Sequence, residues 1–254
     1  MLPLLFLSCS LKLNHIKQVD YMRNPAVWQQ GVFRVNSYDE AELCNIDDKE
    51  GTSCQKINGM STGTGFAVET TKEKNKTHIV TAAHVCSLEM APPLDVNEMR
   101  KRGIDVRNFK RTLTIDDGVS QVAAKVVAVD IPHDICLLEV KADVYKKFEI
   151  SDSVPTYGEE VYNIGAPAGF YSAGAKFYLE GHYVGVLFQW SPFSEDPVLQ
   201  QVFSIPGVGG LSGSPLINKE GRIVGMIHSI RLDYPYITFS CTIEDLNKLI
   251  SNVL

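Results

Sequence analysis

Short apolar runs alternate with polar turn residues along most of the chain. The runs are rich in β-branched residues, and Gly, Pro, Asn or Asp separate them. Runs of this kind predict short β-strands. They are GVFRV (31–35), TGFAV (64–68), HIVTAA (78–83), QVAAKVVAVD (121–130), ICLLEV (135–140), EVYNIG (160–165), HYVGVLF (182–188), LQQVFSI (199–205), SPLIN (214–218), RIVGMIHSI (222–230) and YITFSC (236–241). Their number and short spacing predict an all-β sandwich or barrel.

Helical patterns are scarce and concentrate at the end of the chain. In TIEDLNKLISNVL, Thr242 is a candidate N-cap, and the apolar residues that follow recur at helical spacing. The apolar residues on that face are Ile243, Leu246, Leu249 and Ile250. We therefore predict one helix over about residues 242–253 that packs against the β-structure.

Composition is that of an ordinary globular protein. Of the 254 residues, 44% are hydrophobic and 21% are charged, so the chain is long enough to bury a large core without metals. The net charge of -6 argues against a nucleic-acid partner, because such binding needs a basic face. The basic run RKRGIDVRNFKR (100–111) is interpreted as a solvated loop or helix face.

The first residues have the composition of an export signal. An apolar run over residues 2–7 ends at Ser8 and Cys9, and it is too short to span a bilayer. We interpret residues 1–8 as a signal peptide or a lipoprotein signal with Cys9 as the lipidated residue, within a leader that extends to residue 27. This predicts a periplasmic, secreted or lipid-anchored protein whose only membrane contact is Cys9. A viral or phage origin is the alternative.

Cysteines and histidines do not form a metal-ligand pattern. The chain has six cysteines, and His78 and His84 have no third ligand at a suitable spacing, so neither a metal nor another cofactor is predicted. In an exported protein, Cys44 and Cys54 would form a disulfide that closes a small polar loop. Cys136 lies inside the apolar run ICLLEV and is predicted to be a buried free thiol.

Two residues next to predicted strands could carry chemistry. His84 follows a strand ending in small residues, which leaves room for another segment beside the imidazole, although a satisfied core histidine fits the same pattern. Asp134 stands directly before an apolar run. It could be a solvated strand end, or a buried acceptor that holds a histidine ring nitrogen and favours the imidazolium cation.

The stretch GVGGLSGSPLIN (207–218) is dense in glycine and serine. A serine hydroxyl becomes a nucleophile only beside a base, and Ser212 is flanked by Gly210, Leu211 and Gly213. Glycines let backbone N–H groups converge, so those of Gly210 and Ser212 could bind an oxyanion. Such a turn is weak evidence taken alone. The order His, Asp, Ser along the chain makes the three signals much stronger together.

The blocks TAAH (81–84), DICLL (134–138) and GLSGSPL (210–216) resemble the signatures of chymotrypsin-like, or trypsin-fold, serine peptidases. The stretches GTGFAV, NIGAPAGF and GRIVGMI are closer to the bacterial branch with the high-temperature-requirement peptidases and glutamyl endopeptidases. The resemblance implies a double six-stranded antiparallel β-barrel with an interbarrel active site. It also implies that His84 is the general base, Asp134 its orienting partner and Ser212 the nucleophile.

Departures from the family pattern bear on activation and specificity. Leu211 replaces the Asp that receives a new N-terminus in trypsin-like zymogens, so we expect no such activation. Pro206 and Gly207 fall at the base of the implied specificity pocket, where no acid is present. His228 lies one position later than the histidine that recognises Glu or Gln in some relatives, and it would face the other side of the strand unless a bulge intervenes.

The predicted function is a serine endopeptidase that acts on a protein or peptide through an acyl-enzyme. The alternative is a catalytically silent pseudopeptidase that binds a protein partner. We predict a first barrel over about 28–145 and a second over about 155–241, without the C-terminal peptide-binding domain of the high-temperature-requirement proteins. The sequence leaves open whether residues 38–62 form a lid, a regulatory loop or an attachment point, and it does not indicate an oligomeric state.

Overall fold

A computed structural model of the protein describes residues 25–45, 53–70, 75–88, 90, 96–144, 146–172, 175–190, 194 and 196–253. The predicted signal segment 1–8 and Cys9 lie outside the described residues. Among the residues that are described, no helix is long and apolar enough to cross a membrane.

The first half of the chain forms a closed antiparallel barrel. Its strands are β1 (Val32–Asn45), β2 (Cys54–Val68), β3 (Thr77–Ala82), β4 (Ile104–Asp116), β5 (Gln121–Asp130) and β6 (Ile135–Val140), and they pair in the order β1-β2-β3-β6-β5-β4. A short helix α1 (Pro25–Trp28) and a 3-10 turn (Gln29–Gly31) precede β1. Two further helices, α2 (Ala83–Cys86) and α3 (Val96–Lys101), lie between β3 and β4.

The second half repeats the design. Its strands are β7 (Glu160–Gly165), β8 (Phe177–Gln189), β9 (Val198–Phe203), β10 (Pro215–Ile217), β11 (Ile223–Ile230) and β12 (Thr238–Ser240), closed in the order β10-β11-β12-β9-β8-β7. A 3-10 turn (Pro167–Gly169) follows β7, and helix α4 (Ile243–Ser251) ends the described chain. The predicted pair of six-stranded barrels with a C-terminal helix is confirmed.

Helix α4 begins with a capping box. The Thr242 side chain accepts a hydrogen bond from the Asp245 backbone N–H, and the Asp245 carboxylate accepts one from the Thr242 backbone N–H. These two bonds satisfy donors that a helix N-terminus leaves free. The four apolar residues predicted for its inner face are buried, and three of them, Leu246, Leu249 and Ile250, join the main core.

Residues 38–45 and 54–62 extend strands β1 and β2 into a long hairpin. The two strands stay paired from Val32–Phe66 out to Cys44–Cys54. The far side of β1 pairs with β4, which contains most of the basic run. The interpretation of residues 100–111 as a solvated loop or helix face is therefore wrong for residues 104–111, which form part of a strand on which Arg107 and Lys110 are exposed.

The main hydrophobic core crosses the boundary between the barrels. It combines buried residues of β1, β2, β3, β4 and β6, against which partly buried residues of β5 pack, with Ile164, Ile217, Ile223 and Met226 of the second barrel and with the inner face of α4. A smaller cluster, which includes Val161, Phe203 and Val224, fills the second barrel itself. The shared core fixes the two barrels against each other. Residues at the junction of the barrels are therefore held at fixed positions relative to one another.

Candidate active site

His84 and Asp134 come together because of the pairing between β3 and β6. Every residue of β3 is buried, and its last residue, Ala82, pairs with Ile135, the first residue of β6. The residues next to these strand ends therefore meet. The Ala83 backbone N–H donates to the Asp134 carbonyl at 3.1 Å, which fixes the spacing of the two chains at this point.

The Asp134 carboxylate holds His84 with both of its oxygens. Oδ2 lies 2.7 Å from His84 Nδ1, and Oδ1 accepts the His84 backbone N–H at 2.9 Å. Asp134 adopts φ 55°, a left-handed conformation that Asp tolerates better than most residues. A carboxylate at Nδ1 assigns the proton to that nitrogen, which leaves Nε2 as an acceptor. The imidazole is 31% exposed, so its other edge can be reached by a reactant.

Ser212 lies in a tight loop shaped by two glycines. Gly210 and Gly213 adopt φ 94° and 87°, which side chains rarely tolerate, and Leu211 between Gly210 and Ser212 is only 1% exposed. Gly213 donates to the Ile227 carbonyl at 2.6 Å, and Ser214 donates to that of Leu211 at 2.9 Å. The loop is therefore folded back on itself and is anchored to β11.

Two backbone donors in this loop have no partner among the described residues. Within the described part of the chain, neither the Gly210 N–H nor the Ser212 N–H donates a hydrogen bond to another group. Unpaired N–H groups in a glycine-rich turn can bind an anion. These are the two donors that the sequence predicts for an oxyanion.

The Ser212 loop docks on the first barrel close to His84. The Ser212 carbonyl accepts the Thr64 backbone N–H at 2.8 Å, and Thr64 Oγ1 donates to the Gly210 carbonyl at 2.7 Å. A Cβ on Gly213 would lie 2.1 Å from the Thr64 carbonyl oxygen and 2.9 Å from the Ala82 nitrogen, two residues before His84. The structure thus brings the segments of His84, Asp134 and Ser212 together at the barrel junction.

The residues predicted for the specificity pocket lie in two places. Pro206 is exposed, and a Cβ on Gly207 would lie 2.3 Å from Ile230 Cγ2 and 2.8 Å from Thr238 Cγ2. The space next to Gly207 is thus occupied by these two side chains. His228 instead lines a cavity beside His84 and Asp134.

His228 faces the His84–Asp134 pair. It lines a cavity of about 280 Å³ together with His84, Asp134, Met90, Trp190 and Gln200. The pairing of β11 with β12 shifts register between Ile227 and Ser229, so a bulge occurs at His228. Burial lowers the pKa of His228 to about 4, which keeps the imidazole neutral at neutral pH.

The structure contains two disulfides. One joins Cys44 to Cys54, the pair suggested by the sequence, and the other joins Cys86 to Cys136. The prediction of a free thiol at Cys136 is wrong, and the buried free cysteine is Cys241 instead. A usable signal was present, because Cys86 and Cys136 each follow one member of the His84–Asp134 pair by two residues. If those two side chains meet, the cysteines meet too.

No metal centre is formed by the part of the chain that the structure describes. No group of three or more His, Cys, Asp or Glu side chains is arranged there to hold an ion.

Comparison with known proteins agrees with this fold. A sequence model of the trypsin-like peptidase domain matches residues 63–226. The fold is similar to the crystal structure of Rv3671c protease from M. tuberculosis in its active form, with a TM-score of 0.63 and 18% identity, covering 91% of this chain and 85% of that chain. The inactive form of Rv3671c protease gives a TM-score of 0.58 and 16% identity, covering 91% of this chain and 94% of that chain. No curated protein sequence matches the chain significantly.

Proposed function

The chain belongs to the trypsin-like peptidase domain family and is a serine-type hydrolase of peptide bonds, and we propose that His84, Asp134 and Ser212 perform its reaction as an endopeptidase. The observation that carries the proposal is the pairing of His84 with Asp134. One carboxylate holds both the Nδ1 atom and the backbone N–H of the histidine, at 2.7 and 2.9 Å. Asp130 holds His133 by the same two kinds of bond, and what distinguishes the His84 pair is the Ser212 loop docked on the first barrel close to it.

The first step is attack on the substrate carbonyl. Ser212 Oγ forms a bond to the carbonyl carbon while its proton passes to His84 Nε2. Asp134 keeps the proton at Nδ1 and stabilises the imidazolium that results. The carbonyl oxygen becomes an oxyanion, and the N–H groups of Gly210 and Ser212 donate to it. Loss of one such donor costs about 3 kcal/mol of transition-state stabilisation in comparable sites.

The second step releases the products. His84 returns its proton to the leaving amine, the C–N bond breaks, and Ser212 keeps the acyl group. Water then enters, loses a proton to His84 and attacks the ester. The acid product leaves, and Ser212 regains its proton from His84.

Activation by a new N-terminus has no counterpart in this loop. Leu211 is buried, and a Cβ on Gly165 would lie 2.6 Å from Leu211 Cδ2, so the side chain packs against the end of β7. An apolar residue here cannot form an ion pair with a terminal amine. This supports a loop that assembles on folding, without the trypsin-type zymogen step.

An oxidising compartment suits the chain. Cys44–Cys54 and Cys86–Cys136 are both formed, and structural disulfides persist in exported proteins. We therefore infer that the protein works outside the cytoplasm and acts there on protein or peptide substrates. A redox-controlled thiol assay of the purified native protein tests this: Cys44, Cys54, Cys86 and Cys136 are expected to be unreactive, and the buried Cys241 is expected to react only after unfolding.

Labelling with a fluorophosphonate tests the nucleophile. The native protein is expected to be labelled, and Ser212→Ala to lose labelling and about 10⁶-fold in kcat on an internally quenched peptide. Ser214→Ala is the matched control, since Ser214 is buried and its Oγ accepts a bond from Asn163. It should keep labelling at Ser212, identified by mass spectrometry. Folded native protein without Ser212-dependent labelling would contradict the peptidase proposal and support the binding-module alternative.

A further inference from the structure

We infer that Arg111 is a positioning residue for His84, and that Asp39 fixes the orientation of its guanidinium. The inference rests on the proposed role of His84 as the base. It concerns the backbone that leaves the histidine, which Asp134 does not contact. Arg111 lies on β4, far along the chain from His84.

The helix that carries His84 is one turn long and needs partners for its carbonyl groups. Helix α2 ends at Cys86, so its carbonyl groups have no donors further along the helix. The Ser87 N–H, just past the helix, donates to the Ala83 carbonyl at 2.7 Å. Arg111 Nη1 lies 2.9 Å from the Ser87 carbonyl oxygen and 3.3 Å from that of His84. It also lies 3.4 Å from the Val85 carbonyl oxygen. One nitrogen therefore faces three carbonyls of the segment that contains the base.

Asp39 holds the guanidinium in the plane that this contact requires. Its two carboxylate oxygens accept Arg111 Nε and Nη2, each at 2.7 Å. The two residues are directly opposite each other in the pairing of β1 with β4. The Arg111 side chain is 2% exposed, so the guanidinium is shielded from water, while the Asp39 side chain is 20% exposed. With Nε and Nη2 bound to Asp39, Nη1 has one direction left, towards α2.

The pair acts on the side of His84 opposite to Asp134. Asp134 fixes the ring and the N–H on the chain entering the histidine, whereas Arg111 fixes the carbonyls on the chain leaving it. Ser37 Oγ supplements this by donating to the Val85 carbonyl. A catalytic base must lie within hydrogen-bond reach of its proton, and a displacement of about 1 Å can cost about 100-fold in rate. Arg111 is not among the residues that line the cavity beside His84. Its loss should thus affect proton transfer more than substrate binding.

The hairpin of β1 and β2 gains a role from this arrangement. Asp39 lies near the base of the hairpin, whose outer end is closed by Cys44–Cys54. The paired strands and this disulfide fix the position of β1, from which the Asp39 side chain reaches Arg111. Residues 38–62 would then help to position His84, the general base, rather than cover the cleft between the barrels.

The experiment compares Arg111→Met, Arg111→Lys and Asp39→Asn with the native protein. Arg107→Met is the control, because it removes the same charge from the same strand and the Arg107 side chain, which pairs with Asp105, is 50% exposed. The readouts are kcat per active site titrated with fluorophosphonate, KM for one quenched peptide, and the low-field proton NMR signal of His84 Nδ1–H.

For Arg111→Met we expect kcat per titrated site to fall about 10- to 100-fold with KM changed less than about twofold, and the NMR signal to be lost or broadened. Asp39→Asn should show a smaller fall in kcat, again with little change in KM. Arg111→Lys should recover part of the rate. Arg107→Met should behave like the native protein.

Native kcat and a retained NMR signal in Arg111→Met would overturn the inference, as would a loss confined to KM. If Arg111→Met does not fold, Asp39→Asn and Arg111→Lys decide by the same two readouts. If the native protein shows no Ser212-dependent labelling, the peptidase proposal fails separately. The NMR signal then still decides whether Arg111 positions the imidazole.

Discussion

The two barrels hold their proposed catalytic groups by different physical means. In the first, His84 lies two residues after β3 and Asp134 directly before β6, and both are held by side chains, by Cys86–Cys136 and by the Asp39–Arg111 pair. In the second, Ser212 is held by backbone hydrogen bonds in a loop where glycines replace side chains. Anchoring by side chains can be weakened in steps, whereas a backbone fit is lost as soon as an atom is added.

The largest loss of stability and activity is expected from adding one methyl group to the Ser212 loop, which tests whether its backbone fit tolerates an extra atom. Gly213→Ala would place its Cβ 2.1 Å from the Thr64 carbonyl oxygen, at φ 87°. Overpacking and left-handed strain together should cost about 5 kcal/mol of unfolding free energy and most activity. Gly59→Ala is the control, since its Cβ would have nothing within 4 Å. Equal urea midpoints for the two variants would show that the loop can yield.

Removing the disulfides one at a time sharpens the comparison within the first barrel. Cys86–Cys136 closes a separation of 50 residues and Cys44–Cys54 one of 10. Loop-closure entropy predicts losses of about 4 and about 3 kcal/mol for the paired Cys→Ala variants. Cys86–Cys136 joins the two segments that carry His84 and Asp134, whereas Cys44–Cys54 acts on His84 only through the hairpin and Arg111, so removal of Cys86–Cys136 should lower kcat more. Urea unfolding and kcat measured at low temperature check this, and a kcat loss of the same size in both variants would count against it.

The contributions of two histidines near the junction to the free energy of unfolding should depend on pH in opposite directions. Burial lowers the pKa of His228 to about 4, so the unfolded chain takes up a proton first as the pH falls below about 6.5. The stability due to neutral His228 is complete above that pH and is lost progressively towards pH 4, up to about 3 kcal/mol. The hydrogen bond that His133 donates to the Asp130 carboxylate raises the pKa of His133, so its contribution is present at low pH and lost as the pH rises through the raised value.

Urea unfolding of the native protein, His228→Gln and His133→Gln between pH 4 and pH 8 measures both effects. His228→Gln should flatten the acidic side of the stability curve, and His133→Gln should steepen it slightly, since His133 is half-buried. A native curve that His228→Gln leaves unchanged on the acidic side would mean that solvent reaches this imidazole.

The fold class and the order of the catalytic segments could be predicted from the sequence because both depend on local patterns. Apolar alternation marks the strands, and each of the three blocks keeps its chemistry within a few residues. His84 and Asp134 are also separated from their strands by no more than two residues, so strand pairing alone brings them together.

Features that depend on the pairing of distant strands could not be predicted in the same way. Apolar surroundings suit a free thiol and a buried disulfide equally, so Cys136 was assigned to the wrong state. The side of β11 that His228 occupies is decided by a bulge that leaves no mark in the residues. Arg111 appears in a run of basic residues, and only the register of β4 against β1 distinguishes it from the exposed Arg107 and Lys110.

Thr64 has a consequence for how the protein could be divided. It joins the Ser212 loop to the first barrel through its own N–H and side chain, and its Oγ1 also accepts the Ala166 N–H at 3.0 Å. The reactive centre is therefore a property of the contact between two halves, and neither half contains it. A chain cut between residues 141 and 159 would regain hydrolysis only when its fragments meet. Such a pair of fragments would report the proximity of whatever proteins they are fused to.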